Sequence, residues 1–443
     1  MAISAPPGKW PRRGYAWYVA SLLMALYLCA FLHRNILTLL VEPLKQDLAL
    51  SDVQIGMLYG LAFAAFYTTL GLFAAGIADL WKRPAVIAAG VILWSLATAA
   101  CGLAANYAQL FIARMLVGVG QAALSPAAYS LIADYFPPKA RLRATSTYAT
   151  GLYLGIGLAA LAGGLVINWV AGGGGASVPL LGSLRGWQVV FIVVGLPGVA
   201  LGLLTLASVR ETTRHGDSAG RPTTARGFIR HLGGAKRRLY FTHCLGFTFQ
   251  VTYSYSFGAW TPAFLIREFD WTPAQTGMGL GAVTLVTAPL GVYLGSMAAQ
   301  RLRRRFPRDA EIRVALGVAL AALPFALYYP FAPAAWAALA LIGITQCLIS
   351  MPFGIAPVAL NEVTPNRFRA RVIAVYLFCI NLAGLSLGPV GVALLTERVF
   401  GSPERLPLAL AAMAACTLPA AAFTFRYCAA AYRSSDRGKA GMP

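Results

Sequence analysis

Apolar residues fall into twelve long runs, at about 15–41, 53–78, 85–105, 108–133, 144–170, 187–209, 239–265, 274–299, 314–331, 334–360, 372–395 and 406–430. Polar and charged residues collect in the short intervals between them. A hydrocarbon core of about 30 Å needs about 20 helical residues, and nearly every run is that long. In lipid each backbone amide must be satisfied within its own segment, so the runs predict membrane-spanning helices, numbered here helix 1 to helix 12. The ninth run is the shortest, and its border with the tenth is the least sharply marked. The fold class read from this pattern is an all-α polytopic membrane protein.

Ten residues of the chain are written twice. Asp134-Tyr-Phe-Pro137-Pro-Lys139-Ala-Arg141-Leu-Arg143 returns as Glu362-Val-Thr-Pro365-Asn-Arg367-Phe-Arg369-Ala-Arg371, every position displaced by 228 residues. The acid, the proline and three basic residues keep register, and each copy lies between two apolar runs. A duplicated connector of this kind implies two homologous six-helix halves around a central pathway, which is the build of a secondary transporter. The halves are expected at 1–209 and 239–443. Between them, 210–238 is rich in Arg, Gly and Thr without apolar periodicity, and reads as a flexible cytoplasmic linker. A short cytoplasmic tail closes the second half.

Charge sets the expected orientation. With both termini in the cytoplasm, 29 of the 36 Lys and Arg residues fall on the inner side and five in outer loops, while Arg34 and Arg114 fall inside helices. That asymmetry is the positive-inside bias. The net charge of +21 is therefore explained by loops resting near anionic lipid headgroups, and no nucleic-acid partner is expected. The seven cysteines are scattered through apolar runs without metal-ligand spacing and read as small hydrophobes. Lys9, Arg12 and Arg13 precede the first run, but that run is too long for a signal peptide and is expected to stay as helix 1.

Several stretches resemble the major facilitator superfamily, and within it the spinster-like branch. They are Leu50-Ser51-Asp52-Val-Gln54-Ile-Gly56 entering helix 2, Leu93-Trp94-Ser95 through Cys101-Gly102 in helix 3, and Arg114-Met-Leu-Val-Gly118-Val-Gly120 running into Ser125-Pro126 and Asp134-Tyr-Phe-Pro137 in helix 4. Trp260-Thr-Pro262 fits more loosely in the second half. The resemblance implies a major facilitator fold of twelve transmembrane helices in two pseudo-symmetric six-helix bundles, working by alternating access around a central cavity lined by helices 1 and 4. Relatives move amphipathic lipids such as lysophospholipids and sphingoid phosphates, often coupled to protons. This chain departs from the branch at two positions, with His33 and Gln121 where an acid is usual. All fifteen Asp and Glu residues lie in loops or at helix ends, so no carboxylate proton carrier is visible mid-membrane.

Candidate chemistry follows from the two buried cations. Arg34 lies about 10 Å from the outer end of helix 1 and Arg114 about 9 Å from that of helix 4, at 1.5 Å per residue. Each costs at least ~2.5 kcal/mol to insert without a partner. A bound anion would relieve that cost, since the guanidinium fork matches phosphate or carboxylate bidentately. The structural alternatives are a helix-carbonyl contact for Arg114 and snorkelling to headgroups for Arg34. His33 is a candidate for proton coupling, taking up a proton when an anion enters beside the arginines. Gln121 lies two turns below Arg114 on the same face. From the second half, Gln250, Tyr253 and Tyr255 of helix 7, Gln346 of helix 10 and Asn381 of helix 11 complete the expected substrate-binding set. Gating candidates are Asp79, Arg83, Asp134, Arg141, Glu362 and Arg369. Asp79 and Arg83 survive from the superfamily signature Gly-x-x-x-Asp-(Arg/Lys)-x-Gly-Arg, in which Ala75, Leu80 and Lys82 here replace the usual residues.

The expected activity is secondary-active transport of an anionic amphipathic molecule such as a lysolipid or sphingoid-type lipid. The alternatives are a facilitator or antiporter of small organic anions and a non-transporting membrane sensor. No acids, histidines or metal ligands converge as an enzyme would need, so no catalysis, cofactor or metal is expected. Expected partners are membrane lipids, the substrate and protons, around a monomer in a bacterial inner membrane.

Overall fold

In the computed structural model the described residues are 10–172, 184–212, 225–234 and 236–434, and every regular element among them is helical. Among the described residues eleven helices are long and apolar enough to cross a membrane: Arg13–Leu39, Asp52–Gly71, Arg83–Cys101, Tyr107–Tyr135, Arg143–Trp169 and Gly186–Ser208 as helices 1 to 6, and Pro273–Arg303, Ala310–Phe331, Ala335–Val363, Arg371–Val399 and Pro403–Ser434 as helices 8 to 12. Helix 7, Arg237–Phe269, is as long as its neighbours but less apolar, because it carries Arg237, Arg238, His243, Gln250 and a run of Tyr and Ser.

The helix starts follow local capping chemistry. Ser51 opens helix 2 with a capping box, its hydroxyl accepting from the Gln54 amide at 3.1 Å while the Gln54 side chain accepts from the Ser51 amide at 2.9 Å. Asn106 caps helix 4 by accepting from the Gln109 amide at 3.0 Å. These side chains satisfy amides that the first helical turn leaves orphaned.

Two compact units divide the chain. One comprises the described residues within Met1–Leu50, Ala62–Ser218 and Pro273–Gly281, and the other those within Ser51–Leu61, Ala219–Thr272 and Ala282–Pro443. In the first, helix 1 runs along helix 5, and helix 3 packs on helices 4 and 6. In the second, helix 7 lies against helices 11 and 12, with helix 9 against helix 12. The second unit takes in the first turns of helix 2, which lie on helix 11. There a Cβ on Gly60 would sit 2.1 Å from the Leu385 carbonyl oxygen, so only glycine allows the approach.

Three features differ from the sequence expectation. The connection at 210–238 contains a helix, Ala225–Leu232, whose Phe228 and Leu232 pack onto the core of the second unit. Eight residues are too few for a periodicity to stand out, which is why the segment reads as irregular. A short helix, Val41–Leu48, follows helix 1 and is absent from the apolar pattern because it carries Glu42, Lys45 and Asp47. Helices 2, 4 and 10 are each interrupted, at Gly60, at Ala123 and at Met351–Ile355.

Helix 4 is held closely to helix 3 at Gly120, where an added Cβ would stand 2.7 Å from the Gly90 carbonyl oxygen and 2.8 Å from the Trp94 amide nitrogen. Both obstacles are backbone, so the helices would have to part. Gly120→Ala is expected to destabilise the first unit by about 1–3 kcal/mol, the usual cost of overpacking. Thermal unfolding of the full chain in detergent checks this, with Gly317→Ala as the control, since nothing lies within 4 Å of a Cβ there.

Candidate functional site

The α-helical part of helix 1 ends at Asn35, ahead of a 3-10 turn over Ile36–Leu39, and this end is gripped by two side chains of helix 4. Arg114 donates from Nη1 to the His33 carbonyl at 3.2 Å and from Nη2 to the Arg34 carbonyl at 3.3 Å. Gln121 donates from Nε2 to the Ala30 carbonyl at 2.9 Å. Carbonyls in the last turn of a helix lack intrahelical partners and carry the negative end of its dipole, so a guanidinium there is well matched. Arg114 thus holds helix carbonyls, as the structural alternative for it supposes, but those of helix 1 rather than of its own helix.

Arg34 is left with a different environment. It is 4% exposed, and its guanidinium carbon lies 4.1 Å from the Phe63 ring centre, 4.7 Å from Phe31 and 4.9 Å from Tyr67. Its Nη2 donates to Gln121 Oε1 at 3.2 Å, while its Nε is buried with no partner. Among the described residues no carboxylate pairs with it. Three aromatic faces stabilise a cation by about 0.5–2 kcal/mol each. They cannot replace an anion, because they accept no directed hydrogen bond from the remaining N–H groups. The aromatic surface continues from Phe31 to Tyr27 at 5.1 Å and from Tyr27 to Tyr148 at 4.5 Å between ring centres.

His33 turns the other way. Its Nε2 lies 2.9 Å from the Val194 carbonyl of helix 6 and its Nδ1 3.3 Å from the Thr98 hydroxyl of helix 3. A carbonyl only accepts, so Nε2 carries the hydrogen, while the Thr98 hydroxyl beside Nδ1 donates its one hydrogen to the Trp94 carbonyl at 2.8 Å. Nε2 is thus satisfied inside the first bundle.

In the second unit the candidates separate into two groups. Tyr255 donates to Asn381 Oδ1 at 3.0 Å, joining helices 7 and 11, and Gln346 bonds to Ser350 of its own helix at 3.1 Å. Gln250 and Tyr253 are each 2% exposed, in line with Phe247 and Phe257, which pack on Phe425 and Tyr329.

The two copies of the repeated connector carry matching chemistry at the basic ends of the bundles. Arg141 donates to the Ala133 carbonyl at 2.7 Å, and Arg369, its counterpart, to the Thr364 carbonyl at 3.1 Å. Each guanidinium folds back over the carbonyls that end the preceding helix. The neighbouring ion clusters each join one arginine to two acids, with the sign exchanged at one matching position. In the first unit Arg83, 1% exposed at the start of helix 3, pairs with Asp134 and donates from Nε to Glu211 at 2.7 Å. The position 228 residues on is Glu311, at the start of helix 9. In the second unit Arg303 bridges Glu311 and Glu362, the counterpart of Asp134. The Asp79 side chain lies outside the described residues.

Sequence reasoning missed Glu211, Arg303 and the rings around Arg34. Continuing the 228-residue register beyond the ten repeated positions would have set Arg83 against Glu311. A further ion pair was also missed: Arg267 binds Asp52 through two hydrogen bonds, at 2.9 and 2.8 Å, while Glu397 accepts from the Asp52 amide. This anchors the first turn of helix 2 within the second unit.

The sequence profile of the Major Facilitator Superfamily matches residues 23–389. The chain belongs to that superfamily. Its spinster-like branch is shown by human protein spinster homolog 1, 27% identical over 410 residues, covering 87% of this chain and 74% of the homologue. A solved bacterial homologue of the human lysosomal transporter spinster, inward-facing and unoccupied, superposes with a TM-score of 0.80 at 26% identity, covering 96% of this chain and 98% of that one. An MFS-type efflux pump of Mycolicibacterium smegmatis is 28% identical over 300 residues, 67% of this chain and 65% of the pump's own length. A D-xylose–proton symporter shares the fold, with a TM-score of 0.65 at 16% identity. This major facilitator protein is therefore a multi-pass membrane protein of a transporter family.

Breaking a buried ion pair by removing one partner costs about 3–5 kcal/mol, because the other charge stays buried. Arg83→Ala is accordingly expected to lower the thermal midpoint strongly, and the double variant Arg83→Ala/Asp134→Ala to recover part of the loss. A double-mutant cycle on the full chain measures this; additive losses would mean that the pair is not coupled.

Proposed function

We propose that this protein is a secondary transporter moving an anionic amphipathic molecule by alternating access, with Arg34 receiving the headgroup. The observation that carries the reading is the buried Arg34 guanidinium, which has Gln121 as its hydrogen-bond partner and, among the described residues, no acid beside it. An unpaired cation in a low-dielectric interior is expensive, and phosphate or carboxylate is the group that its fork fits best. The aromatic surface of Phe31, Tyr27 and Tyr148 favours an amphipathic substrate over a small hydrophilic anion, since it offers apolar contact next to the charge. Arg114 and Gln121 are positioning residues in this scheme, fixing the end of helix 1 that carries Arg34. The family's spinster relatives, one of them described as a lysosomal transporter, support transport of this general kind. We place the protein in a bacterial inner membrane, and its basic residues support an orientation with both termini in the cytoplasm.

The test is uptake of labelled lysophosphatidic acid into proteoliposomes, against monoacylglycerol as the uncharged control. The anionic lipid should be taken up and the neutral one not. Arg34→Ala should lower uptake about tenfold or more, the loss of one charge-assisted bond being worth about 1.5–3 kcal/mol, and Arg34→Lys should restore part of it. Equal uptake by wild type and Arg34→Ala would sink the reading.

A further inference from the structure

Four polar atoms on one face of helix 7 are buried without a partner. His243 is fully buried, and its Nε2 meets no donor or acceptor, while its Nδ1 lies 3.0 Å from the Tyr432 hydroxyl of helix 12. Gln250 has neither Oε1 nor Nε2 satisfied, and the Tyr253 hydroxyl is equally alone. Residues 243, 250 and 253 are spaced by seven and three, so they share a stripe that rises about 10 Å and then about 5 Å along the axis. The stripe is internal to the second bundle, because Phe247 within it and Phe257 one turn beyond it pack on Phe425 and Tyr329.

Each unsatisfied buried polar atom costs about 1–3 kcal/mol, so four in one stripe are not left dry without cause. Buried water makes about three hydrogen bonds and persists where two to four polar partners converge. The His243, Gln250 and Tyr253 side chains supply an acceptor or donor nitrogen, an amide oxygen, an amide nitrogen and a hydroxyl. Apart from these, the groups facing His243 are aromatic: Phe247 of its own helix, and Tyr376 of helix 11 with ring centres 5.3 Å apart. Around Tyr432 stand Cys428 of helix 12, Glu311 at the start of helix 9, and Tyr240 and Cys244 of helix 7. No arginine or lysine faces the ring among the described residues.

We propose that His243, Gln250 and Tyr253 form a hydrated proton-binding site inside the second bundle. Water held by Gln250 and Tyr253 reaches the His243 ring. With Nδ1–H donated to the Tyr432 oxygen, the Nε2 lone pair takes a proton from hydronium, forming the imidazolium and releasing water. At His33 the corresponding nitrogen, Nε2, is already taken by the Val194 carbonyl. Use of the site in transport rests on the function proposed above, whereas its existence does not.

The experiment is deuterium exchange at the histidine C2–H, read by mass spectrometry on the full chain in lipid nanodiscs in D2O across a pH series. It requires no substrate, so its failure would leave the transport reading standing. His243 should exchange in the wild type, and Gln250→Leu should slow it by about tenfold, the effect of removing one hydrogen-bonding group that holds the water. His33 should be unchanged in the variant. Tyr253→Phe, which removes only the hydroxyl oxygen, provides the same comparison should Gln250→Leu fold poorly. Exchange at His243 that is equally slow in the wild type and in the folded variants would overturn the site.

Discussion

A charge placed in lipid or in a bundle core must find a partner, and nearly every feature of this protein follows from how each charge is matched. The penalty is several kcal/mol per unpaired ion, comparable to the whole stability of many domains. Matching takes three forms here. Arginines at the basic ends close onto acids or onto terminal helix carbonyls. Arg114 closes onto the carbonyls that end helix 1. Arg34 alone of the two intramembrane cations is matched by rings and a neutral amide rather than by the end of a helix.

The inversion between the halves shows the same constraint acting on a duplicated scaffold. An arginine at the start of helix 3 holds acids from helix 4 and from the chain after helix 6. At the matching place in helix 9 an acid is held by an arginine from helix 8. Each junction joins one arginine to two acids, so the duplicated architecture keeps the pairing and not a particular sign at each position. Arg141 and Arg369 keep their sign because a helix terminus, unlike an ion pair, cannot be inverted: its carbonyls accept only from a donor.

Periodicity and charge made most of the fold legible. The twelve apolar runs anticipate the spanning helices because each must satisfy its backbone internally. Helix 7 is the least apolar because its interior stripe is polar, which the run length conceals. The linker helix at Ala225–Leu232 was hidden because its order comes from Phe228 and Leu232 docking on the second unit, a tertiary effect. At the candidate site, Arg34, Arg114 and Gln121 could be named from the scarcity of charge inside helices. Their division of labour could not, since it depends on where the end of helix 1 meets helix 4. The rings of Phe63 and Tyr67 were invisible because they come from helix 2, and aromatic residues are common in every helix. His33 and His243 look alike in sequence and differ in whether a neighbour satisfies Nε2.

The central claim, that Arg34 is held ready for an anion, is tested most directly by a cryo-electron-microscopy structure of the full chain with lysophosphatidic acid. The account predicts phosphate density within hydrogen-bonding distance of the Arg34 guanidinium, with the acyl chain against Phe31 and Tyr27. A headgroup bound elsewhere, or Arg34 turned outward into the lipid tails, would contradict it.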